Sequence, residues 1–160
     1  MTEFDSAAFR ATMSRFATGV VVVTAPGPVG MVVSSFTSVS LAPPLVLFCA
    51  GNGSTTWPKI REAGRFCANV LSAGQETIAR RFAGSGDRYE GVGYRPGRHG
   101  SPVLDGVHAY VDCAIADAYP AGDHTIVVGR VLGLDTGSGT DPLLFHHSRF
   151  HDGTVLNPVC

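Results

Sequence analysis

This 160-residue chain carries little charge and no excess of either sign. Only 16% of its residues are charged, with 12 Lys and Arg against 13 Asp and Glu, so the formal net charge is −1. A protein that binds a phosphate backbone or an anionic lipid surface needs an excess of basic residues, so nucleic acid and membranes are not expected partners. No apolar run approaches the ~20 residues that a membrane-spanning helix requires.

Cysteines are also few, and none of them form a C-x-x-C pair. The first three lie in apolar, strand-like stretches, where buried and reduced thiols are expected. The N-terminal stretch "MTEFDSAAFRATM" has neither the basic region nor the apolar region of a secretory signal. Both observations predict a cytoplasmic protein. The four cysteines are Cys49, Cys67, Cys113 and Cys160.

The common signatures of nucleotide binding, nucleophilic catalysis and metal binding are missing. There is no G-x-x-x-x-G-K-[ST], no G-x-G-x-x-G after a strand and no G-x-S-x-G elbow. Three histidines, His146, His147 and His151, stand together in "HHSRFH". Adjacent residues of a strand face opposite sides, and His147 and His151 would lie ~13 Å apart along it. We therefore expect no metal site.

What the sequence does contain is apolar surface and strand-like segments. The chain is 44% hydrophobic with a mean hydropathy of +0.17, which suits one domain over residues 1–160 with a sizeable core or an oligomer interface. At least six strand-like segments occur without regular βαβ alternation. This order predicts a mainly β protein, an antiparallel barrel with peripheral helices.

Periodicity and turn signals place the individual elements. One helix has Phe9, Met13 and Phe16 on one face and ends at Gly19. A second begins near Ser54. A third follows a capping-box spacing between Ser72 and Gln75, buries Ile78 and Phe82, and precedes a long loop over residues 84–106. The predicted strands are 20–25, 30–37, 44–50, 65–72, 108–119, 124–135 and 142–150, the pair around "PAGD" forming a hairpin.

Three polar segments interrupt these strands. They are "SSFTSVS" at 34–40, "CAGNGSTTW" at 49–57 and "GDHTIVVGRV" at 122–131. The second is a junction between a strand and a helix, where free backbone N–H groups and hydroxyls suit a phosphate group. Ordinary helix capping is the alternative, although it needs only one hydroxyl.

The combined motifs resemble the flavin reductase-like family, the reductase components of two-component flavin monooxygenases. The likeness runs from about Phe9 to Phe150 and rests on "FATGVVVVTA", "GMVVSSFTSVSLAPPLV", "STTWPKIREAGRFCANVLSAGQETIARRFA", "GSPVLDG" and "GDHTIVVGRV". The resemblance implies an FMN-binding split β-barrel of antiparallel Greek-key type. It also implies a homodimer that reduces FMN or FAD with NADH or NADPH and supplies reduced flavin to a separate monooxygenase.

The same resemblance implies the residues of the site. The flavin ring is expected beside the hydroxyl-rich segment, and its ribityl chain and phosphate at the strand-to-helix junction. Residues of the third helix are expected to border the same pocket, although Phe82 also has the spacing of a core residue. His124 is expected to position the nicotinamide. The implied cofactor-binding residues are Val33, Ser34, Ser35, Ser38, Ser40, Ala50, Asn52, Ser54, Thr55, Arg81, Phe82 and Ala83.

Hydride transfer needs the nicotinamide and flavin rings within ~3.5 Å of each other and no side-chain base. The expected role of His124 is therefore orientation, and the alternative is a solvated histidine at the end of a hairpin. Two other functions stay open. One is a flavoenzyme with tightly bound flavin that acts as an oxidase or reductase on another small molecule. The other is a flavin-binding carrier without catalysis.

Overall fold

The computed structural model describes residues 4–153. Within this range three short helices accompany twelve strands. The helices are α1 (Ser6–Met13), α2 (Trp57–Ala63) and α3 (Glu76–Ala83). The strands are β1 (Thr18–Gly19), β2 (Val21–Ala25), β3 (Val29–Val33), β4 (Thr37–Leu41), β5 (Pro44–Gly51), β6 (Arg65–Val70), β7 (Tyr94–Pro96), β8 (Pro102–Leu104), β9 (Ala109–Ala121), β10 (His124–Thr136), β11 (Leu143–His146) and β12 (Arg149–Asp152).

Seven strands form one antiparallel sheet in the order β3-β2-β6-β9-β10-β5-β4. Its edge strands, β3 and β4, are consecutive in the chain and are joined by residues 34–36 only. Seven strands laid flat would be roughly 29 Å wide, whereas the step from Val33 to Thr37 spans at most about 14 Å. The sheet must therefore curl until its edges meet. The prediction of a mainly β, antiparallel split barrel with peripheral helices is confirmed.

A serine hydroxyl holds this closure in place. Ser35 lies in the connection between the edge strands, and its Oγ accepts a hydrogen bond from the N–H of Cys49 at 2.8 Å. The same hydroxyl donates to the carbonyl of Cys49 at 3.3 Å. Because Ser35 turns the chain toward β5 here, the single strand predicted over 30–37 is wrong. It is interrupted and divided between β3 and β4.

Strand β2 is buried on both faces, which explains its unbroken run of valines. Successive residues of a strand point to opposite sides. Val21 and Val23 face a core inside the barrel, whereas Val22 faces a second core under α3. Inside the barrel, the rings of Phe48 and Phe66 pack edge to face with centroids 5.0 Å apart. Strand β2 is therefore held by packing on both of its faces, against the core inside the barrel and against the core under α3.

The segment 84–106 is an ordered cover over the barrel and contains the hairpin of β7 and β8. Asn69 of β6 is fully buried, and its Oδ1 accepts a hydrogen bond from the N–H of Leu104 at 2.8 Å. Arg88 donates to the carbonyl of Gly30 at 2.7 Å. These bonds attach both ends of the segment, which the sequence predicted only as a loop.

Helix α1 lies on the surface and buries none of its residues. It ends at Met13, so the predicted end at Gly19 is wrong. The reason is tertiary: the carbonyl of Ser14 accepts a hydrogen bond from the N–H of His147 at 2.8 Å, and the chain then enters β1. Phe9 is 54% exposed. No helix within residues 4–153 has the length and apolar character needed to cross a membrane.

The other two helices begin later than the sequence predicts. Helix α2 starts at Trp57, with Thr56 as its N-cap, and the hydroxyl of Ser54 accepts hydrogen bonds from the N–H groups of Thr56 and Trp57 just ahead of it. At α3 half of the capping box is present, since Gln75 Oε1 accepts a hydrogen bond from the N–H of Ser72 at 2.9 Å. The hydroxyl of Ser72 donates to the carbonyl of Gly106 instead of capping the helix.

The predicted last strand, 142–150, is a hairpin of β11 and β12. His147 and Ser148 join the two strands with φ values of +50° and +58°. Left-handed backbone at both central residues is the geometry of a tight hairpin turn, for which Asn-Gly is the usual signal. The dipeptide His-Ser carries no such signal, so the sequence did not reveal the turn.

Three cysteines within the described residues are free thiols. Cys67 and Cys113 are fully buried, as predicted, and Cys49 is half-buried. Burial raises the pKa of the Cys113 thiol to about 12 and that of Cys67 also above its ordinary value. Cys160 lies outside the described residues.

A side chain added at Gly30 is expected to destabilise the fold. A Cβ there would lie 2.5 Å from Cε1 of the buried Phe82, whose ring is fixed by the second core. We expect Gly30→Ala to lower the free energy of unfolding by about 1–3 kcal/mol, measured by urea denaturation at one protein concentration. Gly53→Ala is the matched control, because a Cβ there has no neighbour within 4 Å. Equal losses in both variants would contradict the packing of Phe82.

Candidate functional site

Two adjoining hollows share part of their walls. We call the first the slot, an apolar hollow of about 210 Å³, and the second the α1 cavity, a hollow of about 470 Å³ under helix α1. Ser34 and Phe145 line both of them. The slot is lined by Val20, Val32, Val33, Ser34, Ala83, Phe145 and Phe150. The α1 cavity is lined by Phe9, Arg10, Met13, Ser14, Phe16, Thr18, Ser34, Ser35, Phe145 and Ser148.

Short strands fix the aromatic side of the shared wall. Thr18 of β1 pairs with Phe145 of β11, which in turn pairs with Phe150 of β12. The two phenylalanine rings have centroids 5.2 Å apart. The guanidinium of Arg80 lies 5.1 Å from the centroid of Phe150 and is held by Glu76 of the same helix. The Phe150 ring, which lines the slot, is therefore supported by α3.

Helix α1 forms the outer wall of its cavity. Its apolar side chains, Phe9 and Met13, line the hollow although neither is buried. The apolar pattern that predicted the helix therefore faces the cavity rather than the core of the chain. Such a wall can be completed by a bound ligand or by another protein surface.

The predicted ring-binding residues divide between the site and the framework. Val33 and Ser34 line the slot, and Ser34 is exposed. Ser35 lines the α1 cavity, but its hydroxyl is already engaged with Cys49 at the barrel closure. Ser38 and Ser40 belong to β4 and are outside the lining of both hollows, as far as residues 4–153 define it.

The predicted border residues have different surroundings. Ala83 lines the slot. Ala50 is fully buried in the core inside the barrel, so no atom of it is accessible to a ligand. Phe82 is 1% exposed and packs edge to face on Tyr89, which is the core role that its spacing indicated. Arg81 is half-exposed, and its Nη1 lies 3.7 Å from Oε2 of Glu90.

The structure brings Asn52 and His124 together at the turn between β9 and β10. Asn52 Nδ2 donates to the carbonyl of Gly122 at 3.3 Å, and its Oδ1 accepts from the hydroxyl of Thr125 at 2.9 Å. The Nδ1 of His124 lies 2.7 Å from Oδ1 of Asp123. This hydrogen bond, together with the charge of His124, holds the pKa of Asp123 below its ordinary value.

The His124 side chain is half-exposed. Arg10, which lines the α1 cavity, contributes a small further attraction that lowers the pKa of Asp123. Asp123 is the residue that orients the His124 ring, and Asn52 fixes the turn through the carbonyl of Gly122 and the hydroxyl of Thr125.

The strand-to-helix junction separates its two predicted phosphate ligands. Ser54 Oγ accepts hydrogen bonds from the N–H groups of Thr56 and Trp57, at 3.2 and 3.1 Å, at the start of α2. Thr55 instead lines a third hollow of about 330 Å³ with Lys59, Asp87 and Arg88. The Ser54 hydroxyl therefore serves the backbone at the helix start, as the alternative interpretation had it, and Thr55 has charged neighbours of both signs.

The turn between β11 and β12 groups the three histidines. Because the chain reverses at His147, the rings of His146 and His147 have centroids 4.2 Å apart, and those of His146 and His151 are 6.1 Å apart. The assumption of opposite strand faces is therefore wrong here. Even so, no three His, Cys, Asp or Glu side chains in the described part of the chain are grouped as metal ligands would be.

Comparison with known proteins decides the family. Residues 13–154 match the family model of the flavin reductase like domain. The chain belongs to this flavin reductase family. It is 46% identical over 147 residues to a flavin reductase of Pseudomonas putida. The aligned region covers 89% of this chain and 86% of that protein.

Two further members of the flavin reductase family extend the comparison. The reductase subunit HsaB of a flavin-dependent monooxygenase from Mycobacterium tuberculosis is 38% identical over 162 residues, covering 98% of this chain and 85% of that protein. A solved structure, an NADH:FAD oxidoreductase of Streptomyces globisporus in complex with NAD and FAD fragments, superposes with a TM-score of 0.91. Its sequence is 38% identical, over 98% of this chain and 100% of that chain.

The site of this flavin reductase family member is chemically suited to a flavin. The slot offers apolar walls for a flat ring, and Ser34 is an exposed hydroxyl at its rim. Thr55 lines a polar hollow with two cationic side chains, Lys59 and Arg88, and one carboxylate, Asp87, so its excess positive charge suits a phosphate group.

Sequence reasoning did not find the aromatic and helical parts of the site. Phe145 and Phe150 are brought together only by the β11–β12 hairpin, which had no turn signal. Phe9 and Met13 were found as an apolar helix face, but nothing in their spacing said that the face borders a cavity. Thr18 lies in the quoted motif "FATGVVVVTA" and carried no signal of its own.

The two junction residues are expected to respond differently to truncation. Because the Ser54 hydroxyl accepts hydrogen bonds from the N–H groups of Thr56 and Trp57, Ser54→Ala should lower the free energy of unfolding by about 1 kcal/mol. Thr55 is exposed, and Thr55→Ala should change the free energy of unfolding by less than about 0.5 kcal/mol. Urea denaturation measures both. A Thr55 variant as unstable as the Ser54 variant would contradict this division of roles.

Proposed function

We propose that this protein transfers hydride from NADH or NADPH to FMN or FAD and releases the reduced flavin. The observation that carries the proposal is that the slot and the α1 cavity adjoin, with Ser34 and Phe145 in the lining of both. Two flat rings held in adjoining hollows can touch where the hollows join. Contact between two rings is what direct hydride transfer requires, and family membership supports the same reaction.

When bound, the flavin supplies the hydride-accepting chemistry, and the protein supplies binding and orientation. Val33 and Ala83 give the slot apolar walls that exclude water from one side of the ring. Ser34 offers a hydroxyl to the polar edge of the ring. Phe145 and Phe150 fix the height of the slot, since their rings pack together and Arg80 holds the Phe150 ring in place. No side chain has to accept a proton for the hydride step.

Thr55 is the proposed phosphate-binding residue, with Lys59 as the neighbouring cation. A hydroxyl and an ammonium group are strong partners for a phosphate. The sequence implied both Ser54 and Thr55 as phosphate ligands, and we propose Thr55 alone. The Ser54 hydroxyl already accepts two backbone hydrogen bonds and retains only its own hydrogen for a ligand.

His124 is the proposed positioning residue for the nicotinamide nucleotide. Its ring is held by Asp123 and lies over the end of β5, where a Cβ on Gly51 would be 3.8 Å from its Nε2. The ring orients a donor without taking a proton, so its loss should weaken the reaction without abolishing it. The recipient of the reduced flavin is proposed to be a separate monooxygenase, as the name of the HsaB relative suggests for that protein.

Steady-state oxidation of NADH in the presence of free FMN or FAD tests this function. The rate should rise and saturate as flavin is added. His124→Ala should lower kcat/KM for NADH tenfold to a hundredfold, about 1.4–2.7 kcal/mol of transition-state stabilisation, because the donor loses its orientation. The dissociation constant for FMN should stay within about twofold.

Other outcomes select the rival functions. Turnover that requires a different oxidisable or reducible molecule, with flavin that does not exchange, would indicate a flavoenzyme with a tightly bound group. Flavin binding without any turnover would indicate a carrier. Loss of flavin binding in His124→Ala would make His124 a flavin ligand or a structural residue.

The exposed apolar side chains support a homodimer with its flavin near the subunit interface. Leu41 of β4 is 95% exposed and Val39 is 49% exposed, and Phe16 after α1 is 70% exposed. A monomer would leave this surface in water, at a cost that a second copy removes. The free thiols of Cys49, Cys67 and Cys113 support a reducing, cytoplasmic location.

Light scattering at micromolar concentration measures the oligomeric state. We expect a mass twice the 16.7 kDa of the chain. Leu41→Glu should shift the protein toward the monomer, because it places a charge in the apolar contact. Thr77→Glu, on the exposed surface of α3, is the matched control and should stay dimeric. A wild-type monomer that still binds flavin would contradict the dimer.

A further inference from the structure

A fourth hollow, of about 460 Å³, adjoins the third hollow that Thr55 lines. We call it the α2 groove. Val29 and Lys59 line both hollows, and the side chain of Lys59 is exposed. The two hollows are therefore placed to hold two parts of one ligand, with the Lys59 ammonium group between them. The α2 groove is lined by Pro26, Gly27, Val29, Lys59, Glu62 and Ala63.

The slot, the third hollow and the α2 groove follow one another along strand β3. At the end of the strand, Val32 and Val33 line the slot. Gly30 lines the third hollow, and Gly27, in the turn before the strand, lines the groove. A strand advances about 3.3 Å per residue, so Val33 and Gly30 lie roughly 10 Å apart along it. A ribityl chain spans such a distance between a flavin ring and its phosphate. A flavin with its ring in the slot and its phosphate in the third hollow therefore has the α2 groove beyond that phosphate.

The third hollow has positive charge to offer a ligand. Arg88 donates to three uncharged acceptors, the carbonyls of Gly84 and Gly30 at 2.9 and 2.7 Å and the hydroxyl of Thr56 at 2.8 Å. It belongs to none of the ion pairs within residues 4–153. Its guanidinium is therefore fixed in position without losing its charge. Two cationic side chains and one carboxylate, that of Asp87, line the hollow, so the excess charge is positive.

The walls of the α2 groove are apolar on one side and charged on the other. Pro26, Val29 and Ala63 offer apolar surface to a flat ring. Lys59 and Glu62 are three residues apart in α2, so they lie on the same face of the helix. Glu62 is exposed and belongs to no ion pair in the described part of the chain. Its carboxylate accepts hydrogen bonds and repels phosphate, so the groove suits a flat base that carries an amino group.

We propose that the adenylate half of FAD binds in the α2 groove, with the pyrophosphate at Lys59 and Arg88 and the amino group of adenine at Glu62. FMN ends at its phosphate and leaves the groove unused, so the protein prefers FAD to FMN. The inference rests on the proposed function and deepens it, because it selects one flavin and names the residues that select it.

Equilibrium binding of the two flavins, measured by calorimetry without NADH, tests this inference. FAD should bind to wild type roughly tenfold or more tightly than FMN, since it adds a hydrogen bond to a charged group and buries a flat base. Glu62→Ala should raise the dissociation constant for FAD roughly fivefold to twentyfold. The same variant should bind FMN within about twofold of wild type. Glu62→Gln keeps an acceptor oxygen and should bind FAD within about threefold of wild type.

Two controls separate the contact with adenine from an effect on the fold. An FAD analogue with hydrogen in place of the adenine amino group should bind wild type and Glu62→Ala equally well. Arg61→Ala is the matched variant, because Arg61 is also exposed on α2 but lines neither hollow. It should leave both flavin dissociation constants within about twofold. Because Glu62 forms no ion pair within residues 4–153, Glu62→Ala should keep the melting temperature of wild type.

The outcomes distinguish the inference from the function that it rests on. Wild type that oxidises NADH with saturable flavin dependence but binds FMN as tightly as FAD overturns the adenylate site and leaves the proposed function standing. Equal weakening of FMN and FAD in Glu62→Ala, or a lower melting temperature, also overturns it, since Glu62 would then be structural. Preferential FAD binding without NADH oxidation would overturn the proposed function alone. Wild type that binds neither flavin would overturn both.

Discussion

The short connection between the two edge strands is the constraint on which the site depends. Because only residues 34–36 separate β3 from β4, the sheet must close on itself, and Ser35 fixes the closure through both backbone groups of Cys49. The same connection places Ser34 in the lining of both the slot and the α1 cavity. Barrel closure and the proposed meeting point of two ligands therefore depend on one short segment of the chain.

The hydroxyl groups of this protein have three different surroundings. Those of Ser35 and Ser54 complete the backbone hydrogen bonds of a barrel closure and a helix start. That of Ser34 is exposed at the shared wall, and that of Thr18 is buried without a partner in the described residues. A sequence rich in serine and threonine therefore does not reveal which hydroxyls bind a ligand. The hydrogen bonds within the protein separate them.

The sequence predicted best those parts whose pattern is local. The valine run of β2 and the hairpin of β9 and β10 follow from strand periodicity, and the quoted motifs contain both His124 and Asn52, which the structure brings together. The pairing of Phe145 with Phe150 depends on a turn at His147 that has no sequence signal. Burial of Ala50 and the unpaired oxygen of Thr18 depend on packing by distant segments, which no local pattern contains.

Absorption spectroscopy of the flavin-loaded protein tests most directly the claim that the flavin and the donor ring touch where the slot and the α1 cavity adjoin, beside Ser34 and Phe145. A stacked donor and flavin share electron density and give a broad charge-transfer band at long wavelength. Titration with a tetrahydro analogue of NADH, which cannot give up hydride, should produce this band, and the band should saturate with the dissociation constant that calorimetry measures for the same analogue. Saturable binding of the analogue without the band would contradict the account, because the two rings would then occupy hollows that do not meet.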